Sequence, residues 1–362
     1  MAGDAVNPGS AQIPRAPAAT SPPQQIIIQQ PPRKSRWFGK LLTTALVVAL
    51  LIIYGMYGSY RSYYGLAELP KEKYHSLSKT AQQKIAIINV EGLITETDGY
   101  VKKQIECVKN DPDVVGVVLR IDSPGGTVTG SDYIYHHLRK LAEDRKVPIV
   151  VSMGGICASG GYYIAMSVGG QKDAIFAEPT TWTGSIGVII PHYDLSGLLG
   201  RFNVSDDSIA SGPLKQMGSP TRPITPEERK LLQQLVDDTF AGFKQIVASG
   251  RPKFKDDPGG LDAVATGQIF TAKQALDHGL VDKLGFIEDA IARDAELANT
   301  TIDQVRCVKY EASNSLLSEF MNSRAPLGGA GLDVTALLDL TTPRAYYLWT
   351  FLPSALSNSR GQ

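Results

Sequence analysis

From Lys84 onward, short apolar runs alternate with stretches whose apolar residues recur every three or four positions. The runs "KIAIINVEG", "VVGVVLRID" and "VPIVVSMGG" are rich in Val and Ile and apolar on both faces, the pattern of strands buried inside a sheet. Between them, the segment from Val101 to Asn110 and "SDYIYHHLRKLAED" read as helices. Strands alternating with helices of this length predict βαβ units and an α/β fold with a parallel sheet core. The alternation continues more loosely through "DAIFAEP" and "TGSIGVIIP". A long helix is then predicted from Thr225, whose Thr-Pro-Glu-Glu start precedes Leu231, Leu232, Leu235, Val236, Phe240, Phe243 and Val247 at helical spacing. That stripe is read as core or as an interface between protomers. In "TAKQALDHGLVDKLG" a helix is predicted to stop at Gly279, ahead of a short strand.

The N-terminal part follows different rules. Residues 1 to about 32 are rich in Pro, Ala, Gln and Ser, a composition that buries too little apolar surface to fold. Between Lys40 and Arg61 lies "LLTTALVVALLIIYGMYGSY", about twenty residues without a charge and long enough to cross a bilayer core. A cleaved signal peptide has a shorter apolar stretch and no long tail ahead of it, and a core helix is the other alternative. Arg33, Lys34, Arg36 and Lys40 crowd the N-terminal flank, and Trp37 and the tyrosines from Tyr54 to Tyr64 fit interfacial positions. The positive-inside rule then puts the N-terminus in the cytoplasm and the rest of the chain on the extracytoplasmic face of a single-pass cell (inner) membrane protein. The expected organisation is a disordered tail at 1–36, an anchor at 37–60, a linker at 61–81, a catalytic α/β domain at 82–300 and a C-terminal extension at 301–362. In the extension, "PRAYYLWTFLPSAL" is read first as packing on the domain; lying on the membrane or filling a substrate groove are alternatives.

Charge and cysteine content narrow the chemistry. The 36 basic and 36 acidic residues balance, which argues against nucleic acid as a partner. Cys107, Cys157 and Cys307 have no spacing that fits a metal site or a disulfide framework.

Attention falls on Ser159 in "ICASGGYYIA", where a strand ends and a helix begins. Its hydroxyl would lie beside unsatisfied N–H groups, as a helix cap or as a nucleophile next to an oxyanion site. A second glycine pair, Gly125 and Gly126 in "DSPGG", sits at the carboxyl end of another parallel strand, where ligands bind in open α/β sheets. The N–H groups of Gly126 and Gly160 can then converge on one developing negative oxygen. A nucleophilic serine needs a base. His75, His136, His137 and His278 fall on a linker or on polar helices, which leaves His192 in "GVIIPHYDL" and Lys215 in "SGPLKQMGSP". A lysine base must be neutral near pH 7, and burial is what brings an ammonium down from about 10.4. Ser–Lys pairs are a recognised variant of the serine triad. Cys157, two residues upstream, is the alternative nucleophile and is more simply a small buried apolar residue.

Taken in order, "DSPGG", "ASGGYYIA", "TGSIGVI", "SGPLK" and "GLVDKLG" resemble the signal peptide peptidase A family, membrane-anchored serine proteases of peptidase family S49 with the ClpP/crotonase fold. The resemblance spans about residues 82 to 300 and implies repeated ββα units. By position it implies that Ser159 is the nucleophile, Lys215 the general base, Gly126 and Gly160 the oxyanion donors and Ser185 the residue that orients the lysine. It further implies a short, single-domain form, homo-oligomers whose active sites are shared between protomers, and peptide substrates such as signal-peptide remnants. No metal, nucleotide or other cofactor is required. Two alternatives remain at this point: a crotonase-like enzyme acting on CoA thioesters, and a non-catalytic membrane scaffold of the same fold.

Overall fold

The computed structural model describes residues 36–63, 69–95, 97–312 and 345–348. It comprises two compact units, Met1–Tyr63 and Tyr64–Gln362. The expected disordered tail lies outside the described residues apart from Arg36, as does most of the C-terminal extension.

In the first unit, helix α1 (Arg36–Tyr63) contains an exposed apolar span, Gly39–Tyr60. Its 22 residues rise about 33 Å at 1.5 Å each, enough for a hydrocarbon core of ~30 Å.

The second unit is a mixed α/β domain built on strands β1 (Lys71–Leu77), β2 (Lys84–Ile94), β3 (Val114–Thr127), β4 (Ile149–Ala158), β5 (Ile175–Ala177), β6 (Trp182–Gly184), β7 (Ile269–Thr271), β8 (Lys283–Leu284), β9 (Arg306–Glu311) and β10 (Tyr346–Leu348). Around them lie helices α2 (Tyr100–Asn110), α3 (Val128–Arg145), α4 (Gly160–Ala165), α5 (Ser196–Arg201), α6 (Pro226–Gly250), α7 (Pro252–Asp256), α8 (Pro258–Val264), α9 (Ala272–His278) and α10 (Ile287–Leu297). The main sheet runs β1-β9-β2-β3-β4-β5-β8, parallel except for the β1–β9 pair. Both faces are covered, which is why its strands are apolar throughout. Ile85, Ile87, Val118 and Val150 face α10 through Ala290, Ile291 and Ala295. Their alternate neighbours Ala86, Ile88, Val117, Leu119 and Val151 join the larger core with α3, α4 and the C-terminal half of α6.

The expected strands and helices stand where the hydrophobic pattern put them, including α6 with its Thr225–Glu228 capping box and α9 with a left-handed Gly279 at its end. The sheet is wider than the 82–300 stretch, because β1 from the expected linker and β9 from the expected extension pair with each other and extend it beyond β2. The stripe on α6 divides in two. Phe243 and Val247 are fully buried, whereas Leu235 in the N-terminal half is 52% exposed.

Two strands extend past their neighbours and form the site. After Met153, β4 leaves β5 and pairs through Ile156–Ala158 with β6. The Asp122 carboxylate accepts the Ile156 N–H at 3.0 Å, fixing this bend to the end of β3. Strand β3 continues through its glycines and passes into α3, whose first turn is capped by the Thr127 hydroxyl.

Candidate active site

Ser159 lies between β4 and α4 with φ 53° and ψ −113°, a left-handed backbone that a residue with a Cβ adopts only under strain. The surroundings hold it there: its N–H donates to the Gly184 carbonyl at 2.8 Å, and its own carbonyl accepts from Tyr163 N–H at 2.9 Å. Its side chain makes no capping hydrogen bond, so the helix-cap alternative is not the role the hydroxyl has here. Ser159 is 1% exposed. Ser159 thus sits on a strained strand-to-helix turn without a helix-cap bond from its hydroxyl.

The two glycine pairs meet beside it. A Cβ on Gly125, whose φ is 103°, would stand 2.8 Å from Gly160 N and 3.1 Å from Ser159 Cβ. One on Gly160 would stand 3.2 Å from Gly126 N and collide with Ser131 Oγ, and one on Gly126 would collide with the Ile94 carbonyl. Side chains are therefore excluded where the backbone N–H groups of Gly126 and Gly160 come together. Ser123 secures the turn: its hydroxyl donates to the Gly92 carbonyl at 2.6 Å and accepts from Gly125 N–H at 3.1 Å.

Ser185 joins this cluster through β6. The β4–β6 register pairs Ala158 with Gly184, so Ser159 and Ser185 are the next residues on adjacent strands. Ser185 also has a positive φ, is buried, and donates its N–H to the Gln268 carbonyl at 2.7 Å.

Lys215, by contrast with these buried residues, is exposed. It lies in a turn at 211–218, and among the described residues its side chain has no hydrogen-bond or ion-pair partner. Arg222 secures the turn by donating to the Gln216 carbonyl at 3.1 Å while its guanidinium pairs with Glu228 at the start of α6. That guanidinium holds the Glu228 carboxyl down at about 2. Between Ser185 and this turn the chain exposes apolar side chains, including Leu198, Phe202, Val204 and a wholly exposed Ile209.

The domain's ancestry is decided by comparison with known proteins. The Peptidase family S49 profile matches residues 141–301. A Synechocystis protein named as a protease is 42% identical over 239 residues, which cover 66% of this chain and 83% of that protein. The chain belongs to peptidase family S49. An Enterococcus faecium protein named as a signal peptide peptidase SppA is 33% identical, over 68% of this chain and 73% of its own length. Protease 4 of Salmonella typhi is 35% identical over 66% of this chain, which spans only 38% of that longer protein.

Within this S49 domain the structure thus brings Ser159, Gly126, Gly160 and Ser185 together, and among the described residues no hydrogen bond or ion pair joins Lys215 to them. The competing groups are also placed. His192 Nε2 lies 3.3 Å from the Ser219 carbonyl, in a half-buried loop. Cys157 is fully buried, and that burial pushes its thiol far above the usual range, the reverse of an activated thiolate. Sequence reasoning missed Ser123 and Asp122, which shape the glycine turn; their presence in "DSPGG" was the available signal. It also ranked the groove only as an alternative for the C-terminal segment. Strand β10 lies antiparallel on Gly125–Thr127, and Tyr346 exchanges hydrogen bonds of 2.9 and 3.0 Å with Ile189 on its other side.

Proposed function

We propose that this S49 peptidase is a membrane-anchored serine endopeptidase acting through a Ser159–Lys215 dyad. The observation that carries the reading is the strained Ser159 backbone beside the Gly126 and Gly160 nitrogens, with the hydroxyl not serving as the helix cap. Neutral Lys215 takes the Ser159 proton as Oγ attacks a peptide carbonyl, and the two N–H groups stabilise the oxyanion. The ammonium then protonates the leaving amine, and water releases the acyl group from the serine. Ser185, next to Ser159 across β4 and β6, positions the lysine amine.

Because Lys215 is exposed within its own chain and flanked by exposed apolar residues, we assign it to the active site of a neighbouring protomer in a homo-oligomer. Docking of that surface covers the apolar side chains and provides the burial that a lysine base requires. The substrates are membrane-associated peptides such as signal-peptide remnants. The apolar α1 helix supports a single-pass anchor, and its basic N-terminal flank supports an extracytoplasmic catalytic domain. The paired glycine N–H groups would also suit a thioester oxygen, but a strained serine serves no purpose in holding one.

The test is hydrolysis of unstructured peptides by the full chain and by Ser159→Ala and Lys215→Ala. Each variant is expected to lose about 10⁴-fold or more in kcat, while His192→Ala keeps nearly full activity. Full activity in either dyad variant would overturn the assignment.

A further inference from the structure

Ser159 stands level with the first glycine turn because β4 carries a bulge. The β3–β4 register pairs Ile121 with Met153 and next Ser123 with Cys157, so Asp122 alone on β3 faces Gly154, Gly155 and Ile156 on β4. Continued without the two extra residues, the first register would set Cys157 beside Gly125 and carry Ser159 about 7 Å further along β3. With them, Ser159 itself reaches Gly125, where a Cβ on the glycine would stand 3.1 Å from Ser159 Cβ. Bulges beside active sites re-aim side chains in this way, and they interrupt the ladder hydrogen bonds where they do so.

Two side chains take over at the interruption. The Asp122 carboxylate accepts the Ile156 N–H at 3.0 Å. The fully buried Thr181 hydroxyl donates to the Gly154 carbonyl at 2.7 Å. Thr181 is held in turn by its own N–H, which donates to the Glu178 carbonyl at 2.9 Å, and Glu178 pairs with Arg120 of β3 at 2.6 Å. The bulge is thus fastened to β3 through Asp122 and to the turn between β5 and β6 through Thr181.

We propose that Asp122 and Thr181 are positioning residues for peptide hydrolysis: they hold the bulge that sets Ser159 against the oxyanion donors, acting through the β4 backbone and not on the peptide. This rests on the serine-protease reading above. An error of about 1 Å in the place of a reacting group lowers a rate by up to about a hundredfold, so a loosened bulge is read in kcat while KM stays near its wild-type value.

Hydrolysis of an unstructured peptide by the full chain tests this, with circular dichroism confirming that each variant is folded. Asp122→Ala and Thr181→Val are each expected to lower kcat about tenfold or more with KM within about twofold of wild type. Asp122→Asn is expected to restore kcat to within about threefold of wild type, because its amide oxygen can accept the same N–H. The Asp122→Ala/Thr181→Val double variant is expected to lose less than the product of the two single losses, since both residues hold one bulge. A wild-type kcat in either single variant, a loss confined to KM, an Asp122→Asn protein as slow as Asp122→Ala, or fully multiplicative losses would each overturn the proposal and leave the protease reading standing. A wild-type chain that hydrolyses no peptide overturns the protease reading itself.

Discussion

At the scale of single residues, the account turns on groups whose environment conflicts with their chemistry. Ser159 is one, a residue with a Cβ held at positive φ. Asp294 is another. It is fully buried on α10 against Gly116, and burial raises it well above the ordinary carboxylate range, outweighing the lowering effect of the Val117 backbone N–H. The folded protein therefore keeps a proton that the unfolded chain releases above about 3.9. The folded state binds more protons over that window, so this group's contribution to stability falls as pH rises from about 3.9 toward its raised value, by up to ~1.4 kcal/mol per pH unit. Denaturant unfolding at pH 5 and pH 8 should show a steeper loss for wild type than for Asp294→Asn. Equal losses would show that Asp294 is ionised in the folded protein. Ser159 was legible in the sequence through its glycines and was assigned as nucleophile by the family resemblance, whereas its strained backbone angle was not legible, because no residue pattern reports it.

At the scale of elements, the turn carrying Lys215 is held through Arg222, which links the Gln216 carbonyl to Glu228 in the α6 capping box. Under the proposed dyad, Arg222 would act as a positioning residue. Arg222→Ala should lower kcat about tenfold or more with KM little changed, since it loosens the base and not the peptide groove. Arg222→Lys should rescue little, because only the fork of a guanidinium spans both carboxylate oxygens and the carbonyl. A wild-type kcat in Arg222→Ala would remove this role. The Glu228 carboxyl is held at about 2, so the clamp is intact above the ordinary carboxylate value near 4.3 and is lost as pH falls toward 2. The strands and helices of the sheet were legible because burial on both faces leaves continuous Val and Ile runs. Strands β1 and β9 were not. "KEKYHSL" is polar along most of its length, and it pairs with a partner more than two hundred residues away. The same distance in sequence hid β10, whose place depends on an edge created by Gly125 and Gly126.

At the scale of the whole molecule, one chain presents a buried serine beside two glycine turns and, on its surface, an exposed lysine amid uncovered apolar residues. The central claim is that serine and lysine form one site between neighbouring chains. Mixing separately purified Ser159→Ala and Lys215→Ala proteins under conditions of subunit exchange tests it most directly. Each protein alone should be inactive, and the mixture should recover about a quarter of wild-type peptide hydrolysis, the share of junctions at which random assortment sets an intact serine beside an intact lysine. A mixture as inactive as its components, under exchange verified by mass, would contradict the shared site.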